Sequence, residues 1–172
     1  MIELERTFLA KQLPDLNGLK SKEVFDIYMP KEYPSGHAPL RLRKNGDKYE
    51  LTKKEPAVEG DSSKLIEQTI NLTEKEFTFL EKEIEGRRIH KIRYYLLVGE
   101  RTAEIDVFQD DLKGLVLIDF EFENEAQKDS FVAPDFCLKD VTQEEFIAGG
   151  VLCGKKYSDL EEELKAFGYN KL

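Results

Sequence analysis

Apolar and polar residues alternate with period two through most of the first 122 positions, as expected for strands whose two faces meet different surroundings. In the opening stretch "IELERTFLAK" (2–11), Ile2, Leu4 and Phe8 share one face while Glu3, Glu5 and Thr7 share the other. The same alternation predicts strands over 24–29 (VFDIYM), 40–43 (LRLR), 48–54 (KYELTKK) and 64–72 (KLIEQTINL). It continues over 87–98 (RRIHKIRYYLLV), 101–108 (RTAEIDVF) and 115–122 (LVLIDFEF). Turn chemistry separates the segments. A stretch with three prolines and a glycine follows 24–29, Asn45-Gly46-Asp47 marks a hairpin, and Gly99-Glu100 and 109–114 supply later turns.

Helices are predicted where a short polar residue precedes Glu or Gln by three positions, because the two side chains can cap the first free amides reciprocally. The pairs are Thr73 with Glu76, Asn124 with Gln127, Thr142 with Glu145, and Ser158 with Glu161. On the first helix Phe77, Phe79, Leu80 and Ile84 predict a packed side, and the charged remainder a solvated one. The expected class is a mainly antiparallel β protein (α+β) with helices outside the sheet.

At 172 residues, with 40% hydrophobic and 35% charged residues, the chain fits one globular domain over 1–172, ending in a helix over 158–172. A net charge of −9 and a pI near 4.9 argue against salt-driven binding to a nucleic-acid polymer or an anionic membrane. The N-terminus lacks the character of a signal peptide, and no apolar run approaches the roughly 20 residues of a membrane span. Cys137 and Cys153 have neither metal-pair nor disulfide-framework spacing, so free thiols and a cytoplasmic location are expected.

Sorting each strand by parity is more informative. Glu104 and Asp106 lie opposite Ala103, Ile105 and Val107; Asp119 and Glu121 lie opposite Val116, Ile118, Phe120 and Phe122. Arg41 and Arg43 share a face, as do Glu50, Thr52 and Lys54, and Lys91 and Arg93. A half-exposed sheet accounts for any one strand. Taken together, acidic and basic pairs are segregated by strand, which suits a closed barrel whose charged faces point inward. Burying such charges requires partners. A polyanion with a divalent metal satisfies both sets, and oxygen-only ligands favour Mg²⁺ or Mn²⁺ over zinc.

From Met1 to about Ser158 the chain resembles the CYTH-domain, or triphosphate tunnel metalloenzyme, family. The resemblance is carried by Glu3-x-Glu5, Arg41-Leu42-Arg43, Leu51-Thr52-x-Lys54, Glu67, Lys91-x-Arg93, Glu104-x-Asp106 and Asp119-x-Glu121 in order along the chain. It implies an eight-stranded antiparallel barrel enclosing a tunnel. It implies Glu3, Glu5 and Glu121 as metal ligands, and Arg41, Arg43, Lys54, Lys91 and Arg93 as triphosphate ligands. Glu67, Glu104, Asp106 and Asp119 follow as candidates for metal, water positioning or charge balance. Lys91 and Tyr28 are the candidates for proton transfer. His37, in the Pro/Gly loop, and His90, off the basic-face parity, are not read as catalytic.

The departure from the family pattern is Thr7, which stands where the family has a lysine. Lys11 has the parity to supply the missing charge if the first strand runs on. Lys155, Lys156, Tyr157 and Ser158 are read as surface, with closure over the tunnel mouth as the alternative. Phe136, Leu138, Val141, Phe146 and Ile147 are expected to cover one barrel end. The implied activity is metal-dependent hydrolysis of a small-molecule triphosphate by a monomer or homodimer. Inorganic triphosphate comes first, thiamine triphosphate next, and cyclisation of ATP third. A non-catalytic polyphosphate or phosphorylated-ligand binding protein is the competing class.

Overall fold

The structure, a computed structural model, describes residues 2–32, 40–84 and 86–172. His37 lies outside the described residues. Eight strands close into an antiparallel barrel: β1 (Ile2–Ala10), β2 (Lys20–Met29), β3 (Leu40–Asn45), β4 (Lys48–Val58), β5 (Asp61–Leu72), β6 (Arg87–Val98), β7 (Arg101–Phe108) and β8 (Val116–Phe122). The order around the barrel is β1-β5-β4-β3-β2-β6-β7-β8, and β8 returns to β1. The β3–β4 and β6–β7 hairpins are both two-residue turns whose first position is a glycine at positive φ, 58° at Gly46 and 61° at Gly99. That conformation costs other residues a steric clash.

β1 is shared between two neighbours on one side. Ile2 to Leu4 pair with β5, and Phe8 to Ala10 pair with a short ninth strand, β9 (Cys137–Asp140). This strand covers an edge that would otherwise stay open. The sequence reading did not contain it, because four residues are too few to display an alternation.

α1 (Glu74–Glu83) forms with the expected reciprocal cap, in which Thr73 accepts from the Glu76 amide and its own N–H donates to Glu76 Oε2 at 2.7 Å. Phe77 packs on Ile27, Met29 and Leu42 outside the barrel, with Leu80 and Ile84 beside it. Phe79, expected on the packed side, is 61% exposed instead, one position off the stripe that faces the sheet. α2 (Glu125–Asp129) is capped by Asn124, and Phe131 beyond it lies 4.6 Å from the Phe120 ring, covering the outer face of β1 and β8. Phe136 packs in this outer layer rather than over a barrel end.

The other two capping pairs do not form. The Thr142 hydroxyl bonds to Asp140 and to the Thr7 backbone, so residues 145–147 make a single 3-10 turn before α3 (Gly149–Leu152). Lys156 donates its N–H to Asp159, and α4 (Glu161–Ala166) begins at Leu160 with no side-chain cap, shorter than the expected 158–172 helix. Among the described residues no helix is long and apolar enough to cross a membrane.

Two residues beyond the polar and charged inward positions, the same parity turns apolar. Leu9, Ile89, Phe108 and Leu117 follow Thr7, Lys91, Asp106 and Asp119 along their respective faces. They cluster with Val141, Ile147, Leu152, Leu160, Leu164 and Tyr169 to form an apolar floor at one end. Leu138 and Phe146 pack against this floor, and Tyr157 is buried in it rather than lying at the surface or over the mouth. Tyr169 fastens the floor, its hydroxyl donating to Gly114 O and accepting from Val116 N, both at 2.8 Å.

The floor meets the tunnel wall at Gly149, where a Cβ would collide with the hydroxyl and ring of Tyr28. Gly149→Ala is therefore expected to destabilise the fold by about 1–3 kcal/mol in urea denaturation. Adding Tyr28→Phe should restore part of that loss. Additive effects in the double variant would contradict the contact.

Candidate active site

The inward faces of the barrel strands line one cavity of about 720 Å³. Glu3, Glu5, Glu67, Glu104, Asp106, Asp119 and Glu121 all border it, as do Tyr28, Arg41, Arg43, Lys54, Lys91 and Arg93. Lys11 does not join them. It lies beyond the end of β1, is exposed, and its backbone N–H is taken by Phe136 O at 2.7 Å. No charge replaces the missing one at position 7 from that direction. Thr7 instead donates its hydroxyl to Asp119 Oδ1 at 2.7 Å, and its backbone bonds Thr142 and Val141, tying the tunnel wall to the floor segment.

The cations on one side are held by buried carboxylates. Arg43 forks onto Asp26 through Nε and Nη2 at 2.6 and 2.7 Å. Arg41 Nε is 4.0 Å from the same carboxylate, and that buried N–H has no hydrogen-bond partner among the described residues. Arg93 forks onto Asp106 at 2.6 and 2.7 Å, also pairs with Glu104, and reaches toward Asp119 at 3.4 Å. Lys91 pairs with Asp106. Burial works to raise the Asp26 and Asp106 carboxyls, but the charges and hydrogen bonds of the facing Arg43, and of Arg93 with Lys91, hold both well below the usual carboxylate range. Lys91 is shifted downward, because desolvation and repulsion from Arg93 and Arg43 outweigh Asp106.

The remaining carboxylates outnumber the cations that reach them. Burial pushes the Glu5 carboxyl up to about 7, and Asp119, Glu3 and Glu121 add to the rise that Lys54 opposes. Burial also raises Asp119, Glu121 and Glu104, each with a neighbouring carboxylate contributing. Twelve carboxylates against five cations line the cavity among the described residues. A polyanion alone would meet net repulsion there. Glu3, Glu5 and Glu121 lie near enough to repel one another, and carboxylate oxygens are the ligand type a hard divalent cation takes, although among the described residues they do not converge into a ready-made ion site.

Asp26 was not among the candidates, although its signal was present: it shares the Tyr28 face within an otherwise apolar strand. Glu50 and the Thr52–Thr69 hydroxyl pair also face the cavity side of β4 and β5. Gln143, Glu144 and Glu145 line it from the floor segment, where the capping pattern at Thr142 gave no hint of that placement.

The Glu5 shift fixes a sign for stability. A carboxyl raised from 4.5 to about 7 on folding binds a proton that the unfolded chain has released, so metal-free stability falls as pH rises through that window and then levels off. The loss is on the order of 3 kcal/mol at most. Glu5→Gln in chelator is accordingly expected to exceed the unsubstituted protein in stability at pH 8 and to match it near pH 5. A variant less stable at pH 8 would contradict the burial of an uncompensated charge.

No protein-family model matches the chain. It is 32% identical over 148 residues to an inorganic triphosphatase of Nitrosomonas europaea, a match covering 84% of this chain and 91% of that protein. A crystal structure of an inorganic triphosphatase superposes with a TM-score of 0.62 at 28% identity, covering 88% of this chain and 93% of the other. A protein of Pyrococcus horikoshii shares the fold, with a TM-score of 0.53 at 21% identity over 74% of this chain and 83% of its own.

Proposed function

The chain belongs to the CYTH family of triphosphate tunnel metalloenzymes, and on that premise we propose that it hydrolyses a phosphoanhydride bond of a small-molecule triphosphate inside the barrel. The observation that carries this reading is the division of one cavity into a braced cationic wall and an anionic corner in excess of its own counter-charges. Phosphate oxygens are assigned to Arg41, Arg43, Lys54, Lys91 and Arg93. Asp26 and Asp106 keep the forks of Arg43 and Arg93 oriented before substrate arrives, so little reorganisation remains at the moment of reaction.

Glu3, Glu5 and Glu121 are the residues that would hold Mg²⁺ or Mn²⁺. Bound there, the ion supplies Lewis-acid neutralisation of phosphate charge. Glu104, Glu67 and Asp119 are left to position water or balance charge. Lys91, whose proton is held less tightly than that of an ordinary lysine, is the group proposed to donate to the departing phosphate oxygen. Tyr28 is assigned to the tunnel base, where its ring supports the floor at Gly149.

Inorganic triphosphate is the preferred substrate and thiamine triphosphate the next. Tyr28 and Phe108 are the aromatic side chains on the cavity wall among the described residues; Phe108 is buried in the apolar floor and Tyr28 abuts Gly149, which favours a substrate without a base. The barrel closes within one chain, so the site is complete in a monomer and compatible with a homodimer. The free thiols Cys137 and Cys153 support a cytoplasmic setting. Thr7 favours one second reading, a non-catalytic polyphosphate or phosphorylated-ligand binding protein, because its hydroxyl is spent on Asp119 and adds no cation.

Phosphate release from inorganic triphosphate, ATP and thiamine triphosphate with Mg²⁺ or Mn²⁺ separates the two. Turnover is expected, fastest on inorganic triphosphate. Glu5→Gln should lower kcat by about a hundredfold or more, and Arg41→Ala should raise KM about tenfold. Micromolar binding without turnover on any of the three would sink the hydrolase in favour of the binding protein.

A further inference from the structure

Lys54 projects from β4 into the anionic corner. Its ammonium pairs with Glu3, lies 3.2 Å from Glu67 Oε2 and 3.8 Å from Glu5 Oε2, and so serves three carboxylates from two other strands. Among the described residues no three His, Cys, Asp or Glu side chains converge closely enough to hold an ion by themselves. The carboxylates here are gathered around an ammonium instead. That ammonium sits on a flexible four-carbon stem, about a quarter exposed to the lumen, and Arg41 faces the same lumen from the neighbouring β3.

We propose that Lys54 is an exchangeable internal cation, which fills the space among Glu3, Glu5 and Glu67 in the metal-free protein and is displaced toward Arg41 when a divalent cation binds at Glu3, Glu5 and Glu121. This rests on the triphosphatase reading and deepens it. An ammonium and a divalent ion cannot both occupy the oxygens of Glu3 and Glu5, so the ion must expel Lys54 and binds more weakly than the carboxylates alone would allow. Once expelled, the ammonium reaches the side of the lumen where Arg41 and Arg43 face a polyphosphate. One side chain thereby links the two ligands. Metal releases a cation for the anion, and by thermodynamic reciprocity the anion, by engaging Lys54, tightens the metal. A lysine fixed on the phosphate from the outset would give no such linkage.

Calorimetric titration of Mn²⁺ into the unsubstituted protein and Lys54→Gln, without polyphosphate, tests the exchange. Lys54→Gln should bind Mn²⁺ about tenfold more tightly and, at saturating Mn²⁺, bind the non-hydrolysable imidotriphosphate about tenfold more weakly. Lys54→Arg, which keeps the charge, should retain the original Mn²⁺ affinity within a few-fold. Equal or weaker Mn²⁺ binding by Lys54→Gln overturns the proposal. If that variant fails to fold, the unsubstituted protein answers the question by reductive methylation read by mass spectrometry. Labelling of Lys54 should accelerate with Mn²⁺ alone and slow again when imidotriphosphate is added; a rate indifferent to Mn²⁺ overturns the exchange. The two readings fail separately. Turnover with unaltered Mn²⁺ affinity in Lys54→Gln rejects the exchange, whereas tighter Mn²⁺ binding without turnover on any triphosphate rejects the hydrolase.

Discussion

A charge buried in a protein interior is costly unless an opposite charge or hydrogen bonds meet it there. Asp26 and Asp106 meet that condition for the cationic wall. Each is almost fully buried, each accepts two hydrogen bonds from one guanidinium, and neither takes up a proton within the ordinary carboxylate range. The rest of the interior depends on those two forks. They fix Arg43 and Arg93 in place and leave Arg41 with a buried N–H that has no hydrogen-bond partner among the described residues. The barrel thus encloses a surplus of carboxylates together with two guanidinium groups held in place by buried forks.

Stability for such an interior has to come from elsewhere in the same strands. Because side chains alternate, a strand that points a charge inward can point an apolar residue outward, and helices and loops cover the outer faces of β1, β2, β3 and β8. Ile27 and Leu42 pack under Phe77, and Ile118 and Phe120 under Phe131. At the end of the tunnel the inward parity itself becomes apolar, so Leu9, Ile89, Phe108 and Leu117 complete a core with the C-terminal third of the chain. One period-two pattern therefore supplies both the packing and the polar lumen, and the change from Thr7 to Leu9 or from Asp119 to Leu117 marks where one gives way to the other.

The eight barrel strands and the sidedness of nearly every candidate residue could be read from the sequence, because both follow from an alternation repeated over six to twelve residues. What escaped the reading was set by single long-range contacts. Thr142 looks like a helix cap locally, yet its hydroxyl is drawn to Asp140 and to the Thr7 backbone 135 residues away. Lys11 has the correct parity but not the correct strand length, because β1 ends at Ala10 after a register shift where β9 joins it. The surroundings of Lys54 were equally out of reach, since which carboxylates it meets depends on the β1–β5 closure that brings Glu3 opposite Leu65. Parity reports a face; it does not report who stands across the lumen.

The proposed division of the tunnel into a metal side and a phosphate side is open to direct observation. Crystals grown with Mn²⁺ and imidotriphosphate, with diffraction recorded at the manganese edge, locate ion and anion independently. Anomalous density within coordination distance of Glu3, Glu5 and Glu121, with phosphate oxygens on Arg41, Arg43 and Arg93, is the result predicted. Manganese bound away from those three carboxylates, or an anion seated outside the barrel, would contradict it.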